Sequence, residues 1–133
     1  MGVRCVPTVI LFKAAHRYIF WCLEVGLLDV SVEQAENYLR SMRVVVLDFY
    51  AEWCIPCKAV EEVLDQVSKA FRSSTDVAFL RIDVDRDKRA VERFEVYGLP
   101  TVIVFQKGLE VRRFTGVPRN FAIELARLIK SLS

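Results

Sequence analysis

The sequence predicts an α/β domain, about four helices covering a sheet of about five strands, and three observations carry that prediction. Strand-like and helix-like segments alternate from residue 23 to the C-terminus. The chain has 133 residues, 53% of them hydrophobic and 27% charged, which is enough for one core and too short for two domains of ordinary size. Charges interrupt every apolar run before the roughly 20 residues that a membrane-spanning helix needs, so the composition is that of a soluble globular protein.

Residues 23–30 read as a first strand. Ser31 stands three residues before Gln34, a capping-box spacing, and Val32, Ala35, Tyr38, Leu39 and Met42 come after it at helical intervals, so a helix is expected over residues 32–42. The run Val44-Val45-Val46-Leu47-Asp48-Phe49-Tyr50 is β-branched and aromatic almost throughout and fits a central strand buried on both faces, with Asp48 as its anomaly. Val60, Val63, Leu64, Val67, Ala70 and Phe71 then keep a helical period up to Ser73-Ser74, which starts this helix inside Cys54-Ile55-Pro56-Cys57. Residues 77–83 form the next strand. Ala90, Val91 and Phe94 define a helix expected to stop near Gly98-Leu99-Pro100. Residues 101–105 and 111–115 make a hairpin around 106–110 with Gly108 at its turn. Pro118 suits the first turn of a last helix, in which Phe121, Leu125, Leu128, Ile129 and Leu132 share one face.

Residues 1–22 stand apart as an N-terminal extension to a domain over 23–133. Arg4, Lys13 and Arg17 are the only charges before Glu24, so the net charge of +2 is an N-terminal excess. Between Pro7 and Gly26 the polar residues Lys13, His16, Arg17 and Glu24 fall on one stripe of an otherwise apolar segment, the pattern of an amphipathic helix. A strand over residues 8–12 is the alternative. Three of those residues, Lys13, His16 and Arg17, also break the apolar stretch that a secretory signal requires. The basic stripe with Phe12, Tyr18, Phe20 and Trp21 fits contact with an anionic membrane surface, and extra core packing accounts for it as well. No basic block with interleaved aromatics tracks a phosphate backbone, so nucleic acid is not implied. Four cysteines, at 5, 22, 54 and 57, are too few and too uneven for a disulfide-stapled scaffold. A reducing, cytoplasmic location and a monomeric state are the expectations.

Cysteines 54 and 57 are the pair with chemistry in it. Two cysteines separated by two residues at a helix start can close a small disulfide with little movement of the backbone. The helix N-terminus offers unpaired N–H groups and partial positive charge, which favour a thiolate at Cys54. Cys54, taken as the exposed end, is the expected nucleophile, and Cys57, one turn in and shielded, the resolving cysteine. Pro56 fixes the backbone between them. Trp53 borders a docking surface or is ordinary packing, and Lys58 stabilises the thiolate or is simply solvated. Asp48 lies six residues before Cys54. Buried, it would carry a raised pKa and could move the proton of Cys57 through a water; at a strand end it would reach solvent instead. The competing reading of the pair is half a zinc site, but zinc takes four ligands, and there is no second Cys-x-x-Cys or His pair. Metal and cofactor are therefore expected to be absent, with the Cys54/Cys57 dithiol as the redox group. Cys5 and Cys22 read as small buried hydrophobes, and His16 has no catalytic role.

Asp48-Phe49-Tyr50-Ala51-Glu52-Trp53-Cys54-Ile55-Pro56-Cys57-Lys58, with Gly98-Leu99-Pro100-Thr101 after it and later Gly108 and Gly116, resembles the thioredoxin family over about residues 23–133. The resemblance implies the thioredoxin fold, a central mixed sheet flanked by helices, with Pro100 as a cis-proline beside the dithiol. It also implies that Leu99 pairs by its backbone with an extended substrate segment, a form of strand addition, with Thr101 and Gly116 in the same substrate-binding region beside Trp53 and Ile55. Three positions depart from the family pattern besides Ile55, which stands where Gly is usual: Tyr50 where Trp is frequent, Phe79 where bacterial members carry a buried Lys, and Glu62 where a helix-kinking Pro is common. The activity implied is thiol-disulfide oxidoreduction, acting as a protein disulfide reductase in electron transport and cell redox homeostasis. Protein disulfides are the substrates, and a disulfide reductase is the electron donor. The alternatives are a binding or scaffold module with an incidental dithiol, and a disulfide oxidase or isomerase. Pro56 rather than His before Cys57 favours the reductant.

Overall fold

The computed structural model describes residues 26–133 in full and the backbone of two short strands, β1 (Val3–Cys5) and β2 (Cys22–Glu24), which pair antiparallel as a separate sheet. The helix expected from Pro7, its alternative strand over residues 8–12, and the roles assigned to Cys5, His16 and Cys22 lie outside the described residues, apart from the extended backbone of Cys22–Glu24. That backbone corrects two expectations: the helix does not run on to Gly26, and residues 23–30 are not one strand. Gly26 has φ +103°, and a Cβ there would lie 2.8 Å from Asp65 Oδ1, so the chain turns between β2 and the two-residue β3 (Leu28–Asp29).

Ser31 caps α1 (Val32–Ser41) with the expected box: its hydroxyl accepts from Gln34 N–H, and the Gln34 side chain accepts from Ser31 N–H. Next comes β4 (Val44–Tyr50), every residue of which is buried. After it come α2 (Ile55–Ala70), an unbroken 16-residue helix, and β5 (Val77–Asp83). The helix expected to reach Gly98 stops sooner: α3 is Arg89–Phe94, closed by Glu95 in the left-handed region (φ 53°), with the N–H of buried Val96 donating back to Val91 O at 3.0 Å.

The hairpin is tighter than expected. β6 (Thr101–Gln106) and β7 (Leu109–Thr115) are joined by Lys107 and Gly108, both at positive φ, the geometry of a two-residue hairpin turn. α4 (Phe121–Leu132) begins after left-handed Asn120, and Pro118 closes the preceding turn by accepting from Phe121 N–H rather than opening the helix.

The main sheet has five strands in the order β3-β5-β4-β6-β7, parallel across β3, β5 and β4 and antiparallel across β6 and β7. Alternation along β4 divides the core. Val45, Leu47 and Phe49 pack with Ala35, Leu39 and Phe94 of α1 and α3, while Val44 and Val46 pack with Val60, Leu64, Leu125 and Ile129 of α2 and α4. The edge strand β7 is mostly exposed and carries the ion pairs Arg113–Glu110 (2.9 Å) and Arg112–Glu124 (2.7 Å). Among the described residues no helix is long and apolar enough to cross a membrane.

Candidate active site

The burial of β4 fixes where the dithiol lies. The chain leaves the sheet at Tyr50, turns through Ala51-Glu52-Trp53 with Cys54 N–H donating to Ala51 O (3.1 Å), and enters α2 with Cys54 as N-cap. Pro56 sits in the first turn, where its missing N–H costs nothing. Cys54 and Cys57 form a disulfide with Cα atoms 5.3 Å apart, and Cys57 N–H donates to Cys54 Sγ at 3.2 Å. That bond is the N-terminal capping interaction of a helix with sulfur as acceptor, and the same donor will stabilise a thiolate at Cys54.

Exposure does not separate the two cysteines as expected. Cys54 is 4% exposed and Cys57 3%, because the disulfide turns the Cys54 sulfur back over the helix start. Position separates them instead: Cys54 stands between Trp53 and Ile55, which are 68% and 75% exposed. The Trp53 indole is tethered by Nε1–H donation to Asp85 Oδ2 (2.8 Å), while Pro56 and Lys58 are exposed.

Register brings the second half of the motif to the same end of the sheet, since Thr101 opens β6 opposite Phe49 near the end of β4. The Leu99–Pro100 peptide is cis. Leu99 is half-buried against the core cluster that contains both cysteines, and Pro100 is buried. Thr101 Oγ1 donates to Gly98 O (2.7 Å), and Gly116 N–H, at φ +72°, donates to Pro100 O (2.9 Å). Residues 98, 100, 101 and 116 are thus tied together through backbone carbonyls.

Asp48 is wholly buried, with no hydrogen-bond partner among the described residues for either carboxylate oxygen, so the solvent-reaching alternative does not apply. Burial pushes its pKa up from 3.8 to about 7, the charge of Arg81 opposes that rise, and Glu61 and Asp29 add to it. Arg81 is only 13% exposed, 3.1 Å from Glu61 and 3.8 Å from Asp29, with its guanidinium 3.7 Å above the Tyr50 ring. Tyr50 donates its hydroxyl to Asp29 Oδ1 (2.7 Å), and burial with that bond raises its pKa. A cleft of about 280 Å³ is lined by Cys57, Lys58, Glu61, Arg81, Tyr50 and Asp29. Sequence reasoning missed this charged cluster. Its signal was a lone arginine inside the apolar run of β5, the counterpart of the lone aspartate in β4.

Among the described residues no group of three or more His, Cys, Asp or Glu side chains is placed to hold a metal ion. The Thioredoxin family model matches residues 27–131. The chain is 35% identical over 101 residues to the thioredoxin of Mycobacterium tuberculosis, covering 74% of this chain and 85% of that one. It is 37% identical over 90 residues to the thioredoxin of Chlamydia trachomatis, covering 66% and 85%. Among solved structures, a single-substitution mutant of the thioredoxin from Halobacterium salinarum superposes with a TM-score of 0.69 at 30% identity, covering 80% of this chain and 90% of the other. Oxidised mitochondrial thioredoxin 3 from Saccharomyces cerevisiae gives 0.65 at 27%, covering 80% and 95%. With a helix-capping disulfide in this frame, the chain belongs to the thioredoxin family and is a protein-disulfide oxidoreductase of the thioredoxin type.

Proposed function

We propose that the chain works as a cytoplasmic protein disulfide reductase, passing electrons from a disulfide reductase to client proteins in the service of redox homeostasis. The observation that carries this reading is the Cys54–Cys57 disulfide at the N-terminus of α2. In the reduced protein the Cys54 thiolate attacks a client disulfide. A Cys54–client bond forms, the client S–S bond breaks, and the departing client sulfur takes up a proton. Cys57 then loses its proton, through water in the adjoining cleft, to the Asp48 carboxylate and attacks Cys54 Sγ. The Cys54–Cys57 disulfide reforms and the second client sulfur leaves as a thiol. Two electrons have passed to the client, and the reductase returns the dithiol.

In this reading the client lies as an extended segment against the backbone of Leu99, beside Pro100, Thr101, Gly116 and the exposed Trp53 and Ile55. Insulin reduction in dithiothreitol tests it. Cys54→Ser abolishes activity, and Cys57→Ser stalls as a covalent client adduct seen by non-reducing electrophoresis; activity surviving Cys54→Ser removes the assigned nucleophile. Residues 1–22 are proposed to be an extension to a monomeric domain, resting on anionic membrane surfaces through their basic stripe. Co-sedimentation with anionic liposomes is expected for the full chain and not for residues 23–133, and equal behaviour of the two ends that proposal.

A further inference from the structure

Asp48 and Arg81 are register partners on the adjacent parallel strands β4 and β5. Asp48 continues the Val44 and Val46 face of its strand, and Arg81 continues the Val77 and Phe79 face, so both point toward α2 and α4. Each carries polar atoms buried without a hydrogen-bond partner among the described residues: both carboxylate oxygens of Asp48 and Nε of Arg81. Three elements converge on that guanidinium, namely Glu61 of α2, Asp29 of β3, and the Tyr50 ring of β4 with its hydroxyl fixed on Asp29. The adjoining cleft opens beside Cys57 and Lys58, with Glu52 also on its wall.

We propose that Arg81 is a positioning residue of the dithiol reaction, clamped over Asp48 by Glu61, Asp29 and Tyr50 so that the buried carboxylate is available as an anion to take the Cys57 proton. The proposal rests on the reading of Asp48 as the proton acceptor. Glu61 and Asp29 divide the guanidinium's charge between themselves and Asp48, so the clamp both holds the cation and moderates it. Removing the cation leaves the Asp48 carboxylate with Glu61 and Asp29 alone, whose charges disfavour its ionisation.

The test is stopped-flow reaction of the fully reduced protein with dithiobis(nitrobenzoate), in which the second thionitrobenzoate released reports the Cys57 step. The wild-type rate of that phase is expected to rise with pH with a midpoint near that of Asp48, about 7. Arg81→Met is expected to move the midpoint up by about one unit, slowing the phase about fivefold at pH 7 and sparing it at alkaline pH. Arg81→Lys, which restores the charge, moves it back. Asp48→Asn removes this limb, and adding Arg81→Met to Asp48→Asn produces no further change. An unmoved midpoint in folded Arg81→Met, with the limb still lost in Asp48→Asn, overturns the role of Arg81 and leaves that of Asp48. A limb that survives Asp48→Asn overturns the reading of Asp48 itself. Should Arg81→Met not fold, Glu61→Gln decides: it removes a competing anion, so the midpoint must move down, and no movement or an upward one overturns the proposal.

Discussion

Asp48 is carried into the sheet by its place in β4, every residue of which is buried, and it continues the Val44 and Val46 face that packs against α2 and α4, so its carboxyl has no route to solvent. Its proton affinity therefore belongs to the fold as much as to the reaction. The folded pKa of about 7 lies above the ordinary 3.8, so the native state holds the proton more tightly than the unfolded chain. The stability this contributes is complete below about pH 3.8, erodes as pH rises through the interval to about 7, and is gone above it. Asp48→Asn, which cannot ionise, is expected to stabilise the oxidised protein at pH 8 by on the order of 4 kcal/mol. The gain shrinks toward zero near pH 4; urea unfolding at the two pH values measures it, and equal effects at both would refute the linkage. The burial of this residue was legible because one carboxylate interrupts a β-branched run. Its partner Arg81 was not, since the pairing depends on the register between two strands separated in sequence by the whole of α2.

At the scale of elements, legibility tracked the strength of local chemistry. The box at Ser31, the run of β4 and the helix start at Cys54 all announce themselves within a few residues. The misplaced boundaries are those where a residue other than the expected one takes a left-handed conformation: α3 ends at Glu95 instead of near Gly98, and α4 waits for Asn120 instead of starting with Pro118. Gly26, which suits a helix stop by sequence, instead lies in the turn between β2 and β3. α3, only six residues long, is held by packing rather than by its own hydrogen bonds: the Phe94 ring lies 5.3 Å from that of Phe49 and 6.0 Å from that of Phe105. Phe94→Ala is expected to cost about 3–5 kcal/mol in guanidinium unfolding. A loss below about 1 kcal/mol would mean that the helix is anchored elsewhere.

For the whole molecule, topology gathers the reacting end from distant segments: the end of β4, the start of α2 and the start of β6 meet because β6 returns antiparallel beside β4. Around them Trp53 and Ile55 leave apolar surface exposed. Ile55→Gly is expected to lower kcat/KM for insulin about tenfold through lost contact area, while the rate with dithiobis(nitrobenzoate), too small to span the surface, stays within about twofold. An equal fall for both would place the effect in the dithiol instead. Open strand borders are a hazard in any sheet, since their unpaired backbone groups invite another chain to pair. Here one border, β3, is two residues long, and the other, β7, displays Glu110, Arg112 and Arg113 in ion pairs. Charge and brevity therefore guard the molecule against self-polymerisation, and the sheet does not grow from its sides.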